Sequence, residues 1–138
     1  MKRNLIGTLS LVVLSLLLNA TGAYAQALAK GDVPFDFMVG KKQLPSGRYT
    51  ITTDGQSTMV ITNVETRTSV RSVVRPDPPN EGSPKLVFHY QGNQYFLAEV
   101  WGDDGKAGMI VPTPALEKEL RIASRSKPTV GAVVIALK

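Results

Sequence analysis

Apolar and polar residues alternate along most of the chain after residue 25, and turn-forming residues interrupt the alternation roughly every eight to twelve positions. This pattern is typical of antiparallel β-strands that bury one face and expose the other. The predicted strands span residues 33–39, 48–53, 58–64, 68–75, 85–91, 94–101 and 130–137, with a short extended piece at 109–111.

The stretch VPFDFMVGKKQLPSGRYTI, residues 33–51, is the most regular part of this pattern. Its turn is predicted at 44–47, where Pro45 presets the backbone of the second position and Gly47 suits the fourth. The stretch therefore predicts a strand, a type I turn and a returning strand. The inward-facing residues would be Val33, Phe35, Phe37, Val39, Tyr49 and Ile51.

Gly92 and Asn93 predict a two-residue hairpin turn between the strands 85–91 and 94–101. A loop of these two residues fixes which residues of the two strands pair. In that register both faces of the hairpin are largely apolar, so we expect the hairpin to lie at the centre of the fold. One face would carry the pairs Tyr90–Tyr95, Phe88–Leu97 and Leu86–Glu99, and the other His89–Phe96 and Val87–Ala98.

Two further segments complete the predicted architecture. Residues 75–84 contain four prolines, which cannot donate to a β-ladder, so they predict a stiff surface connection. Thr113 and Pro114 predict the start of a helix that ends near Arg125, with Leu116 and Leu120 on one stripe. The expected fold is mainly β, a small antiparallel β-sandwich or partly open barrel of seven or eight strands, with one short helix near the C-terminus.

The N-terminus carries the parts of a cleaved signal peptide. Lys2 and Arg3 precede an apolar run of about 14 residues, and Ala23 and Ala25 supply the small residues that signal peptidase accepts. An uncleaved anchor is the alternative, although the run is shorter than the roughly 20 residues that span a bilayer. We expect residues 1–25 to be removed, residues 26–138 to form one domain, and the protein to reach the periplasm or the outside of the cell.

Charge and cysteine content narrow the function classes. The chain has no cysteine, which excludes disulfides, thiol nucleophiles, cysteine zinc sites and a lipid-modified N-terminus. Without Lys2 and Arg3, 14 basic residues face 11 acidic ones, and the basic residues are scattered. Because a nucleic-acid surface gathers basic side chains on one face, we expect no nucleic-acid partner.

Few residues offer catalytic or metal-binding chemistry. His89 is the single histidine, and no turn of the kind that raises a catalytic serine accompanies it, so packing or surface exposure is the simpler role. It is also a candidate for ligand binding, together with the aromatic residues of the same hairpin. Asp103 and Asp104 form either an aspartate-rich turn or a weak calcium site. No cofactor is expected.

Glu99 and three aromatic residues are the remaining candidates. Strict alternation sets Glu99 among Tyr95, Leu97 and Trp101. There it either acts as the general acid of a hydrolase, with Asp103 or Asp104 as its partner, or lies at the sheet rim paired with an arginine. In the second case Arg48 or Arg71 would be the partner. Tyr90, Tyr95 and Trp101 on one face would either stack against a sugar or belong to the core.

The stretch 33–51, together with QYFLAEVW at 94–101 and ALEKELRIA at 115–123, resembles a family of small exported bacterial proteins of uncharacterised function. The resemblance covers most of the chain after residue 25 and brings no catalytic residues with it. We expect a small non-catalytic binding module of the envelope or the secreted fraction, with a glycan or an envelope protein as its partner. A hydrolase that uses Glu99 and a purely structural surface protein are the alternatives.

Overall fold

The computed structural model describes residues 27–55, 57–79, 82–102, 108–124 and 131–137. Within these ranges the chain is mainly β, with eleven strands in two sheets and one helix, α1, at Ala115–Ala123. The predicted fold class is confirmed, and the strands outnumber the expected seven or eight because four of them have only three residues. The strands are β1 Ala27–Val33, β2 Phe37–Val39, β3 Lys42–Leu44, β4 Gly47–Thr53, β5 Thr58–Asn63, β6 Ser69–Val73, β7 Arg75–Asp77, β8 Lys85–Gln91, β9 Gln94–Trp101, β10 Gly108–Ile110 and β11 Gly131–Ala136.

The first sheet is antiparallel and has the order β1-β4-β5-β6. The second sheet has the order β11-β8-β9-β10-β7. The short strand β2 runs parallel to the beginning of β9, with Phe37 opposite Tyr95, and β3 pairs with β2. Strand β9 therefore has β8 along one side and β2 and then β10 along the other.

The core lies between the two sheets and is filled by alternate residues of the strands. Phe37 is at its centre, since its ring contacts Phe88 and Tyr49 in edge-to-face geometry with centroid separations of 5.3 and 5.1 Å. Such pairs add to the stabilisation that burial provides. The buried core residues are Ala29, Val33, Phe37, Val39, Leu44, Tyr49, Ile51, Met59, Ile61, Val70, Val74, Leu86, Phe88, Leu97, Val100, Val111 and Leu137.

The stretch 33–51 has the predicted inward face but a different division into strands. Val33 ends β1, and the chain leaves the sheet at 34–36 before β2 begins at Phe37. Pro34 lacks a backbone N–H and favours this break, and the Asp36 carboxylate accepts a hydrogen bond from the Ser46 N–H at 2.8 Å. The Tyr49 hydroxyl donates to the Pro45 carbonyl at 2.5 Å and fixes the corner.

The proline-rich segment, predicted as a loop from residue 75 to residue 84, begins with a short strand. Arg75–Asp77 pairs with β10 as an edge strand, in spite of Pro76. Proline is tolerated there because an edge strand leaves part of its backbone without a sheet partner.

The hairpin turn is confirmed, and its register is confirmed only near the turn. Gly92 and Asn93 both have positive φ, 57° and 61°, as a type I′ turn requires. Tyr90, His89 and Phe88 have the predicted partners in β9. The register then shifts between Phe88 and Val87, so the other two predicted pairs are wrong. Leu86 lies opposite Val100 rather than Glu99, and Val87 opposite Glu99 rather than Ala98.

Helix α1 ends two residues before the predicted Arg125 and begins at Ala115 with Pro114 as N-cap, without a side-chain cap from Thr113. It packs on the face of the second sheet that points away from the core. Leu120 is half-buried there, while Leu116 of the predicted stripe is 38% exposed. The one buried residue of the helix is Glu117.

Candidate functional site

The register shift decides which candidate residues share a face. Because β9 carries one extra residue opposite Val87 and Phe88, its alternation reverses at Ala98. Tyr90 and Tyr95 point to the core side of the second sheet, with Leu97 and Val100. The other face, toward α1, carries His89, Phe96, Glu99 and Trp101. The prediction that Tyr90, Tyr95 and Trp101 share one face is therefore wrong.

Tyr90 and Tyr95 lie at the end of the core next to the hairpin turn, and both are half-buried. Their ring centroids are 4.8 Å apart, and Phe35 stacks on Tyr95 at 3.9 Å. The Tyr90 hydroxyl donates to the Asn93 side-chain carbonyl at 3.0 Å. The three rings thus form a rigid aromatic cluster that reaches the surface at the turn.

A cleft of about 240 Å³ opens beside this cluster, between the turn and the β2–β3 hairpin. It combines an aromatic residue with carboxylate and amide side chains, which donate and accept hydrogen bonds. Its lining residues are Asp36, Phe37, Met38, Gln43, Asn93, Gln94 and Tyr95.

Trp101 and Glu99 form a separate contact at the far end of β9. Trp101 is 4% exposed and donates its indole N–H to a Glu99 carboxylate oxygen at 3.0 Å. The Lys85 ammonium lies 5.5 Å from the indole centroid, a cation–π distance. Trp101 is therefore a packed residue rather than a ligand platform.

Glu99 keeps one of its predicted neighbours, Trp101, and lacks the others. Tyr95 and Leu97 are on the opposite face, and the arginines expected as its partners pair elsewhere. Arg48 contacts Asp32 at 3.1 Å, and Arg71 contacts Asp54 at 3.2 Å. Asp103 and Asp104, the expected partners for hydrolysis or for calcium, lie outside the described residues.

His89 belongs to a buried polar cluster under α1. Its Nδ1 lies 2.9 Å from Glu117 Oε1, and the same oxygen accepts a hydrogen bond from Arg121 at 2.8 Å. Glu117 is 2% exposed, and its carboxylate contacts the imidazole of His89 and the guanidinium of Arg121, both of which retain access to water. His89 thus positions the helix against the sheet.

Gln91 extends this cluster toward the turn. It is 2% exposed and its amide nitrogen donates to the Ser124 hydroxyl at 2.7 Å, while its Oε1 has no partner within the described residues. An unpaired buried amide oxygen costs stability.

The cluster includes Gln91, Glu117, Arg121 and Ser124, none of which the sequence analysis singled out. One signal was present, because Glu117 and Arg121 stand four apart on a helix, a spacing that brings opposite charges together. The contact of Glu117 with His89 depends on how the helix docks against the sheet, which periodicity does not reveal.

Within the described ranges, the acidic residues and the single histidine do not gather into a metal site. Across the residues that the structure describes, no three histidine, aspartate or glutamate side chains converge as a metal site would require.

A second cleft, of about 320 Å³, lies where β1 approaches the end of β11. Its lining residues are Lys30, Gly31, Asp32, Arg48, Ala136 and Leu137.

No helix in the part of the chain that the structure describes has the length and apolar character needed to cross a membrane.

Comparison of the chain with protein-family models, with curated proteins and with solved structures gave no match.

Proposed function

We propose that this protein is an exported, non-catalytic binding module, and that the cleft beside the Gly92–Asn93 turn binds a saccharide. The observation that carries the proposal is the composition of this cleft, in which Tyr95 stands next to the side chains of Asp36, Gln43 and Gln94. Sugars present hydroxyl groups at their edges and C–H groups on their faces. An aromatic ring surrounded by amides and a carboxylate complements both.

The rigidity of the cleft supports the same proposal. Tyr95 is held by Phe35 and Tyr90, and Asn93 is held by the Tyr90 hydroxyl. A cleft whose side chains are already ordered loses less conformational entropy when a ligand binds. Its volume of about 240 Å³ is small, so it suits one or two sugar rings at the end of a chain.

Export is proposed from the sequence alone. Lys2, Arg3, the apolar run and the small residues Ala23 and Ala25 carry it. The resemblance to small exported bacterial proteins agrees with this location and is likewise a proposal.

A glycan array followed by titration of each hit tests the function. We expect a hit to shift the NMR signals of the Gln43, Asn93 and Gln94 side-chain amides. Asp36→Asn should weaken binding at least several-fold, because a carboxylate accepts stronger hydrogen bonds than an amide.

Asp54→Asn is the matched control, since Asp54 is also an exposed loop carboxylate and pairs with Arg71 on the first sheet. It should leave the affinity unchanged. If no glycan binds, or if both variants weaken binding equally, the saccharide proposal is wrong and a structural role becomes the better interpretation.

A further inference from the structure

Five strands have a free edge within the described ranges. They are β1 and β6 in the first sheet and β3, β7 and β11 in the second. The backbone N–H and C=O groups along a free edge can pair with a strand of another molecule, and proteins usually discourage this with charges, proline, bulges or short strands.

Four of the five edges carry such a feature. Strands β3 and β7 have three residues each. Strand β1 has an irregular register near its start, and β6 has a charge at its centre. The exposed charged residues and the proline on these edges are Lys30 and Asp32 in β1, Lys42 in β3, Arg71 in β6, and Arg75 and Pro76 in β7.

Strand β11 has none of these features. Its sequence, GAVVIA, has six residues without a charge or a proline, and its pairing with β8 is regular from Gly131 to Ala136. Val134 is 57% exposed on the face that points away from the core. An apolar edge strand of this length, with a β-branched side chain in water, is typical of a strand that pairs with another chain.

We propose that β11 is a self-association edge, at which two copies of this chain pair antiparallel across a twofold axis and join their second sheets into one. A second copy is the occupant that the strand itself favours, because its small and apolar side chains are self-complementary about a twofold axis. On a twofold axis each residue near the centre meets its own counterpart, so β6 would bring Arg71 close to the Arg71 of the other copy. Strand β11 has no charged side chain, so no like charges meet when two copies pair along it.

The register follows from the geometry of antiparallel strands. Opposed residues lie on the same face of a sheet, so Val134 can lie opposite the Val134 of the second copy, with Ala132 opposite Ala136. This arrangement removes the exposed valine from water. The contact is small beside the roughly 800 Å² per partner of a standard interface, so we expect a concentration-dependent dimer.

Sedimentation equilibrium on the protein as purified tests the proposal. The mass should rise from that of one chain toward that of two as the concentration increases. Val134→Lys should shift this transition to at least tenfold higher concentration, because two lysines would then meet at the axis. Val73→Lys is the matched control, since Val73 is an exposed valine, 68% accessible, on the edge strand β6. It should leave the transition unchanged.

Hydrogen exchange of the unaltered protein gives a second measurement that does not require a variant to fold. The amides of Gly131–Ala136 that point away from β8 should exchange several-fold more slowly at high than at low protein concentration. A single-chain mass at all concentrations, or a dimer that Val73→Lys disrupts and Val134→Lys does not, would overturn the proposal. Exchange in β11 that does not depend on concentration would overturn it as well.

Discussion

Tyr49 is a residue whose chemistry depends on its place in the core. It is buried between Phe37 and the Pro45 carbonyl. The pKa of its hydroxyl is raised above the ordinary value, mainly by burial and further by the negative charges of Asp36 and Glu65. A hydrogen bond with Asn63 lowers the pKa but does not cancel this rise. The folded state therefore holds the phenolic proton more tightly than the unfolded chain does.

This pKa predicts a loss of stability at alkaline pH. A group whose folded-state pKa is raised contributes its full stability below its unfolded pKa, about 10 for tyrosine, and loses it as the pH rises through the folded pKa. We expect Tyr49→Phe to cost about 1 kcal/mol at pH 7 through the lost hydrogen bond. Its deficit should shrink above pH 10, because phenylalanine does not ionise. Urea unfolding at both pH values measures this, and a deficit that grows with pH would contradict the assignment.

At the scale of elements, the Gly92–Asn93 turn joins the hairpin to α1. A Cβ on Gly92 would lie 3.0 Å from both terminal methyl carbons of Leu120, and Gly92 has a φ of 57°. The turn must therefore satisfy a backbone requirement and leave room for the helix at the same time.

Gly92→Ala separates these two requirements when it is compared with Gly40→Ala. Gly40 has a φ of 60° and nothing within 4 Å of an added Cβ, so its substitution reports backbone strain alone, roughly 1–2 kcal/mol. We expect Gly92→Ala to cost about 1 kcal/mol more, because Leu120 must shift to accommodate the methyl group. Thermal or urea unfolding measures the difference. Equal costs would mean that Leu120 does not hold the helix against the turn.

The same hairpin shows how far local pattern predicts structure. Gly92 and Asn93 both tolerate the positive φ that a two-residue hairpin turn requires, so the turn and the residue pairs nearest to it follow from the sequence. The bulge at Ala98 does not follow from the local pattern. Val100 is more apolar than Glu99, so burial in the core favours Val100 as the partner of Leu86. One extra residue then moves Glu99 and Trp101 to the opposite face.

The candidate cleft was only half predictable for a related reason. Tyr95 and the turn were identified from the hairpin pattern, whereas Asp36 and Gln43 reach the cleft through the parallel pairing of β2 with β9. That pairing joins segments more than fifty residues apart. Alternation within a segment carries no information about such a neighbour.

At the scale of the whole molecule, the described domain and the proposed signal peptide meet without overlap. Strand β1 begins at Ala27, so cleavage after Ala25 would leave intact every strand that the structure describes. The domain has no cysteine, and its stability in an exported location would come from the packing between the two sheets rather than from disulfides.

N-terminal sequencing of the exported protein tests this organisation. We expect the mature chain to begin at Gln26, which removes 25 of the 138 residues and leaves 113. Ala25→Tyr should block processing, because signal peptidase accepts a small residue at the position before the cut. Ala27→Tyr should leave processing intact, since Ala27 lies beyond the cut and is exposed at the start of β1. Full-length protein retained in the membrane fraction of the unaltered strain would instead indicate an uncleaved anchor.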